Sequence, residues 1–161
     1  MKHIISALVE NKPGVLAHVA GMFAARAFNI DSLVVGRTED PKLSRMTIVV
    51  IGDDRVLEQV RKQLAKLIPV VKVQDFVDKP VVARDLMLIS ISATGPQRPE
   101  VLSLIEMFKG KVVDIGQKFV MVEISGPEAK IEAFIDMCRP YGIKNLARTG
   151  TIAMPRHTKN G

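Results

Sequence analysis

The pattern of apolar and polar residues in the first 80 positions predicts six elements of secondary structure. His3–Val9 is almost entirely apolar, which is typical of a strand that is central in a sheet. Pro13 and Gly14 end this run, and apolar residues then recur at helical spacing from Val15 to Ala27. Two strands, a second helix and a fourth strand are predicted to follow over residues 30–38, 43–52, 53–67 and 70–77.

The order strand, helix, strand, strand, helix, strand is the ferredoxin-like, or split βαβ, arrangement, in which two helices cover one face of a four-stranded sheet. The same order returns after a linker at 78–83, with little residue identity between the two halves. The second set of elements is predicted at 84–93, 99–109, 111–115, 118–125, 127–138 and 143–152. The predicted fold class is therefore α+β, with tandem βαββαβ modules at 1–78 and 84–153 and a mobile tail at 154–161.

Composition and charge narrow the classes of function. The chain has 161 residues, of which 47% are hydrophobic and 25% charged, as in a soluble globular protein. Its formal charge of +6 is spread evenly along the chain, and with no Trp and one Tyr it lacks the aromatic platform of many nucleic-acid binders. We expect no nucleic-acid partner. Since no segment has the length of a membrane helix and no signal peptide opens the chain, we expect a cytoplasmic protein without a membrane partner.

Groups of residues that could carry out catalysis are missing from the sequence. His3, His18 and His157 do not have the spacing of metal ligands, and no phosphate-binding glycine loop or nucleophile motif occurs. Cys138 is the only cysteine and lies in an apolar helical stretch, which predicts a buried packing role. The acidic pair Asp53-Asp54 suits the start of a helix. We therefore predict no catalytic residue and no metal ligand.

The segment Asn11–Leu16 combines three features at a junction between a strand and a helix. The backbone N–H groups of a first helical turn are unpaired and attract anions, Gly14 has no side chain to block approach, and Asn11 offers both a donor and an acceptor. Together these features suit a binding site for a carboxylate. The alternative is that Asn11 and Gly14 only shape a tight turn, and composition leaves the two interpretations open.

The second strand of the first module is predicted to be a poorly protected edge of its sheet. It carries no Pro or Lys within Leu33–Gly36, whereas the fourth strand, at the other edge, contains Lys72 and Asp75. We therefore predict that the second strand pairs with its own copy across a two-fold axis, which gives a homodimer with an eight-stranded sheet. Such pairing would bring Asn29, Ile30 and Asp31 of one chain near the loop at 11–16 of the other.

Two of these segments, Asn11–Leu16 and Phe28–Leu33, resemble the amino-acid-binding ACT domain. More narrowly, Asn29–Leu33, together with Leu43–Ile48 and Ala147–Gly150, is similar to the small regulatory subunits of acetohydroxyacid synthase, also called acetolactate synthase. The resemblance covers residues 1–153. It implies a protein that binds a branched-chain end product, usually valine, for feedback inhibition and that activates a separate catalytic subunit.

The resemblance also implies a set of effector-binding residues contributed by two chains. They are Asn11, Gly14, Val15 and Leu16 of one chain, Asn29 and Ile30 of the other, and Val35, which with Leu16 would contact the aliphatic side chain. The thiamine diphosphate, Mg²⁺ and FAD of the family belong to the catalytic chain, so none is expected here. The second module has no Asn-x-x-Gly equivalent at 94–99 and is expected to contact the catalytic subunit instead.

Two other classes of function stay open on the sequence. One is a free-standing ACT-type sensor that regulates another enzyme or a transcription factor, although no helix-turn-helix is visible in the chain. The other is an independent enzyme on a ferredoxin-like scaffold, which would require turnover by the isolated chain. The preference among valine, leucine and isoleucine is also open, since it depends on side-chain packing.

Overall fold

The structure is a computed structural model that describes residues 1–158, and it divides into two compact units. The first unit comprises Met1–Val82 together with residues 151–158, and the second comprises Ala83–Gly150. Each unit contains the predicted order of strand, helix, strand, strand, helix and strand. The predicted fold class, α+β with two tandem ferredoxin-like modules, is confirmed.

The first unit is an antiparallel sheet covered on one face by two helices. Its elements are β1 (Lys2–Glu10), α1 (Val15–Ala25), β2 (Asn29–Arg37), β3 (Leu43–Ile51), α2 (Asp54–Ala65) and β4 (Val70–Asp75). The strand order is β2-β3-β1-β4, so β2 and β4 are the two edges, as predicted. Alternate residues of β1, namely Ile5, Ala7 and Val9, are buried in one core with Val19 and Phe23 of α1. Burial of each large apolar side chain contributes about 1.5–3 kcal/mol.

The two helices of the first unit begin in different ways. The side chain of Asp53 caps α2, because its Oδ1 accepts a hydrogen bond of 3.0 Å from the N–H of Val56. The N-cap of α1 is Gly14, and no side chain forms a hydrogen bond with the first turn of this helix. The N-terminus of α1 is therefore open, whereas that of α2 is satisfied by its own chain.

The second unit repeats this architecture with different residues. Its elements are β5 (Val81–Ser92), α3 (Gln97–Met107), β6 (Lys111–Ile115), β7 (Phe119–Gly126), α4 (Glu128–Cys138) and β8 (Ile143–Arg148). The sheet order is β6-β7-β5-β8. The buried carboxylate of Asp85 on β5 accepts hydrogen bonds from Nε of Arg148 at 2.8 Å and from the N–H of Gly150 at 3.2 Å. This charge-assisted pair fixes the end of β8 beside β5.

The end of the chain differs from the prediction. The strand predicted at 143–152 ends at Arg148, and a further strand, β9 (Ile152–Pro155), pairs with β5. The predicted tail at 154–161 therefore begins inside a strand, and the N–H of Arg156 donates to the carbonyl of Pro80 at 2.9 Å. Pairing satisfies backbone groups that a mobile tail would leave to water. Residues 159–161 of the predicted tail lie outside the described part of the chain.

Cys138 is fully buried in the core of the second unit, as predicted. Burial raises the pKa of its thiol to about 12, so the thiol remains protonated at pH 8. We therefore expect the native chain to resist alkylation by iodoacetamide at pH 8 over an hour, and to be labelled once by the same reagent in denaturant. Mass spectrometry measures both results, and labelling of the native chain at the denatured rate would contradict burial.

Candidate functional site

The loop between β1 and α1 is held against the hairpin that joins β2 to β3. The backbone N–H of Asn11 donates to the carbonyl of Lys42 at 2.8 Å, and Nδ2 of Asn11 donates to the carbonyl of Pro41 at 3.0 Å. One donor of the Asn11 side chain is thus used to position the loop. The sequence pattern identified Asn11, but its partners lie 30 positions away along the chain and carry no local signal of the contact.

Gly14 leaves open space at the start of α1. Its φ is +84°, a conformation that disfavours residues with a Cβ, and an added Cβ would meet no atom within 4 Å. The N–H groups of Leu16 and Ala17 have no hydrogen-bond partner among residues 1–158, and the first turn of α1 carries no acidic residue. The helix therefore directs unpaired donors and the positive end of its dipole at an accessible space, which is an arrangement that favours a carboxylate.

The apolar residues predicted for the site differ in exposure. The side chain of Val15 belongs to the buried core, so it has no apolar surface to offer to a ligand. Leu16 is 47% exposed and Val35 is 41% exposed. Val35 pairs with Met46, whose side chain lies in the core, so Val35 projects from the helix-bearing face of the sheet on which α1 also lies. Leu16 and Val35 are the two predicted residues with free apolar surface.

Asn29 and Ile30 lie at the far end of β2 from the loop. Asn29 pairs with Ile51, whereas the other end of β2 pairs with Ser44, close to the hairpin that holds Asn11. At about 3.3 Å per residue, the two ends of β2 are roughly 25 Å apart. Within one chain the structure therefore brings together only Asn11, Gly14 and the first turn of α1, and the two halves of the predicted site remain separate.

The outer edge of β2 has backbone groups that are free to pair. The N–H of Thr38 donates to the carbonyl of Leu43, which marks this pair as a hydrogen-bonded one. Since hydrogen-bonded pairs alternate along an antiparallel ladder, the N–H of Val34 points toward β3 and that of Val35 points outward. β2 contains no Pro and no Lys, so neither of these residues protects its edge.

The corresponding loop of the second unit is occupied by its own arginine. The N–H of Ala93 donates to the carbonyl of Lys118 at 2.8 Å, which repeats the bond between Asn11 and Lys42. Nε of Arg98 donates to the carbonyl of Ala93 at 2.9 Å, and its Nη2 donates to the carbonyl of Gln117 at 2.9 Å. Arg98 thus holds this loop as Asn11 holds the first. The absence of Asn-x-x-Gly from this loop is visible in the sequence, but the role of Arg98 is not, because its acceptor at Gln117 lies 19 positions away.

Residues 1–158 contain no group of three or more His, Cys, Asp or Glu side chains that could hold a metal ion. Over the same range, no helix combines the length and the apolar character needed to cross a membrane.

The fold and the loop define a class of protein: a tandem βαββαβ chain whose first module is an ACT domain. A family model described as the AHAS small subunit-like ACT domain matches residues 5–72, where AHAS stands for acetohydroxyacid synthase. A second family model, described as the small subunit of acetolactate synthase, matches residues 84–157. The chain belongs to the family of acetolactate synthase small subunits.

Individual relatives agree with this assignment. A probable acetolactate synthase small subunit from Archaeoglobus fulgidus is 54% identical, over 99% of this chain and 99% of the relative. An acetolactate synthase small subunit from Aquifex aeolicus is 49% identical, over 96% of this chain and 81% of the relative. The crystal structure of the small subunit from Thermotoga maritima superimposes with a TM-score of 0.91 at 41% identity, and covers 98% of this chain and 99% of that one. A small subunit of this synthase implies a catalytic-subunit partner.

Proposed function

We propose that this chain is the regulatory subunit of an acetolactate synthase. It binds valine, or another branched-chain amino acid, as a feedback inhibitor and activates the separate catalytic subunit. The observation that supports this function most directly is the open N-terminus of α1, where Gly14 leaves space before the unpaired N–H groups of Leu16 and Ala17. An anion site of this kind suits the carboxylate of a free amino acid.

The remaining groups of an amino acid fit residues around this site. In this proposal the carboxylate accepts hydrogen bonds from the first turn of α1, and the aliphatic side chain lies against the exposed surfaces of Leu16 and Val35. The amide oxygen of Asn29, contributed by the partner copy together with Ile30, accepts from the ammonium group. Asn11 keeps the loop in position through Pro41, and Val15 contributes only its backbone.

The site is completed by a homodimer through β2. Because β2 runs from Asn29 to Arg37, two antiparallel copies overlap fully when Leu33 lies on the two-fold axis. This register sets Asn29 of the partner copy opposite Arg37, at the end of β2 that adjoins the loop. Occupancy of the effector site then depends on how the two chains pair, which provides a physical basis for allosteric control.

In this proposal the chain has no catalytic residue, metal or cofactor of its own. Thiamine diphosphate, Mg²⁺ and FAD bind to the catalytic subunit, and the complex acts in the cytoplasm in the synthesis of branched-chain amino acids. The second unit binds no amino acid, because Arg98 occupies the loop that corresponds to the effector site, and it contributes surface to the catalytic subunit.

Reconstitution with the purified catalytic subunit tests the proposed function. We expect this chain to raise the rate of acetolactate formation severalfold and to make it sensitive to valine, whereas the catalytic subunit alone is insensitive. Calorimetric titration of the isolated chain with valine, leucine and isoleucine ranks the effectors. Amino-acid binding without association with the synthase would support a free-standing sensor instead, and turnover by the isolated chain would contradict a regulatory role.

A further inference from the structure

The turn between α2 and β4 holds two strongly exposed apolar side chains in a fixed place. Ile68 is 93% exposed and Val71 is 60% exposed. The N–H of Val70 donates to the carbonyl of Leu67 at 3.0 Å, which closes the turn, and the carbonyl of Pro69 accepts from the N–H of Glu10 at 2.9 Å. Val71 is the extra residue of a bulge in the β1–β4 ladder. Two hydrogen bonds and Pro69 thus hold the side chains of Ile68 and Val71 in a solvent-exposed position.

Two unpaired cations flank these side chains. Lys66 and Lys72 are both exposed, and neither has an ion-pair partner among residues 1–158. The nearest acidic side chains on α2 and β4, Glu58 and Asp75, already form ion pairs with Arg61. We define Lys66, Ile68, Val71 and Lys72 as the turn patch. Its chemistry is an apolar centre with a positive rim.

The position of the turn patch separates it from the proposed dimer contact. β4 is the edge of the sheet opposite to β2, so pairing through β2 leaves the patch accessible. A second copy of the chain is a poor occupant, because a two-fold contact would place the lysines of one patch against the same lysines of the other. A complementary occupant has an apolar depression bordered by carboxylates.

We infer that the turn patch is a docking surface for the catalytic subunit on the first unit, in addition to the surface proposed on the second unit. This inference rests on the proposed function because it requires that partner. A preorganised apolar anchor loses little conformational freedom on binding, and oppositely charged rims speed and orient association. The patch also adjoins the effector loop. Glu10, whose N–H holds Pro69, directly precedes Asn11, whose N–H holds Lys42. One short segment of backbone therefore contacts both sites.

The apolar part of the patch is tested with the double variant Ile68→Ser, Val71→Ser in the full chain. We expect its affinity for the purified catalytic subunit to fall at least tenfold in a surface-binding assay. Val77→Ser is the control, since Val77 is 41% exposed in the first unit and follows the end of β4 that is remote from the turn, so its replacement leaves the patch intact. Thermal unfolding and calorimetric binding of valine to the double variant should match those of the wild type, since both side chains are exposed.

The positive rim is tested with Lys66→Glu, Lys72→Glu, against Arg26→Glu, Arg55→Glu, which reverses two exposed charges of the first unit outside the patch. We expect the double reversal in the patch to weaken association about tenfold at low salt and less in 0.5 M NaCl, because screening reduces exposed charge pairs. Wild-type affinity in both double variants of the patch overturns the docking surface. Loss of the homodimer in sedimentation, or lost binding to anionic vesicles with association intact, overturns it too. If even the wild-type chain fails to bind the catalytic subunit, the proposed function itself falls.

Discussion

Replacement of Gly14 by aspartate is expected to weaken the binding of valine by at least about 100-fold, or roughly 2.7 kcal/mol. The new carboxylate would lie before the N–H groups of Leu16 and Ala17 and would both occupy and repel the anion site. Each charge-assisted hydrogen bond that the ligand loses is worth about 1.5–3 kcal/mol, so loss of two accounts for this magnitude. Calorimetry on the isolated chain measures the effect, and reconstituted synthase should stay activated while it loses inhibition.

Gly14→Asn is the matched control for this substitution. Asparagine has nearly the same size and tolerates the positive φ of this position about as well, but it carries no charge. We expect Gly14→Asn to retain a measurable part of the affinity for valine. Equal losses of valine affinity in the two variants would show that the size of the new side chain, and not its charge, causes the effect. If Gly14→Asp left the valine concentration for half-maximal inhibition unchanged, the first turn of α1 would not be part of the effector site.

The second large effect is expected from Val35→Pro, which should convert the dimer to monomers. The N–H of Val35 points to the free edge of β2, so proline removes a donor from the contact between chains while the ladder to β3 remains. Because the contact is two-fold symmetric, the donor is lost from both chains. At about 1–3 kcal/mol for each unsatisfied group, the dissociation constant of the dimer should rise about 100-fold. Sedimentation velocity measures whether the chain is a dimer or a monomer. The affinity for valine should fall as the dimer dissociates.

Two other variants show whether the free edge of β2 is responsible for dimerisation. Val35→Thr keeps the N–H and should remain dimeric. Val34→Pro removes a donor that faces β3, so it should lower the unfolding temperature of the chain. Val35→Pro should lower the unfolding temperature less. A Val35→Pro chain that stays dimeric with full affinity for valine would place the contact between copies elsewhere.

Elements with strong local signals could be predicted from the sequence. β1 is an apolar run, and α2 combines an acidic N-cap with helical apolar spacing, so short-range chemistry defines both. The loop at Asn11 and Gly14 was identifiable because the features that suit an anion lie within a few residues of each other. β9 was missed because a strand of four residues is stabilised by a partner far away in the chain. In the second unit, Arg98 holds the loop that corresponds to the one held by Asn11. The sequence does not predict this role, because an acceptor of Arg98 lies in a distant hairpin.

The pairing of β9 with β5 has a consequence for biosynthesis, because it joins the first strand of the second sheet to a strand that comes much later in the chain. Strands β6, β7 and β8 all lie between these two partners in the sequence. On the ribosome, β5 is therefore made before the other strands of its sheet, and its pairing with β9 waits until all of them have been synthesised. The sheet β2-β3-β1-β4, in contrast, needs no residue beyond Asp75.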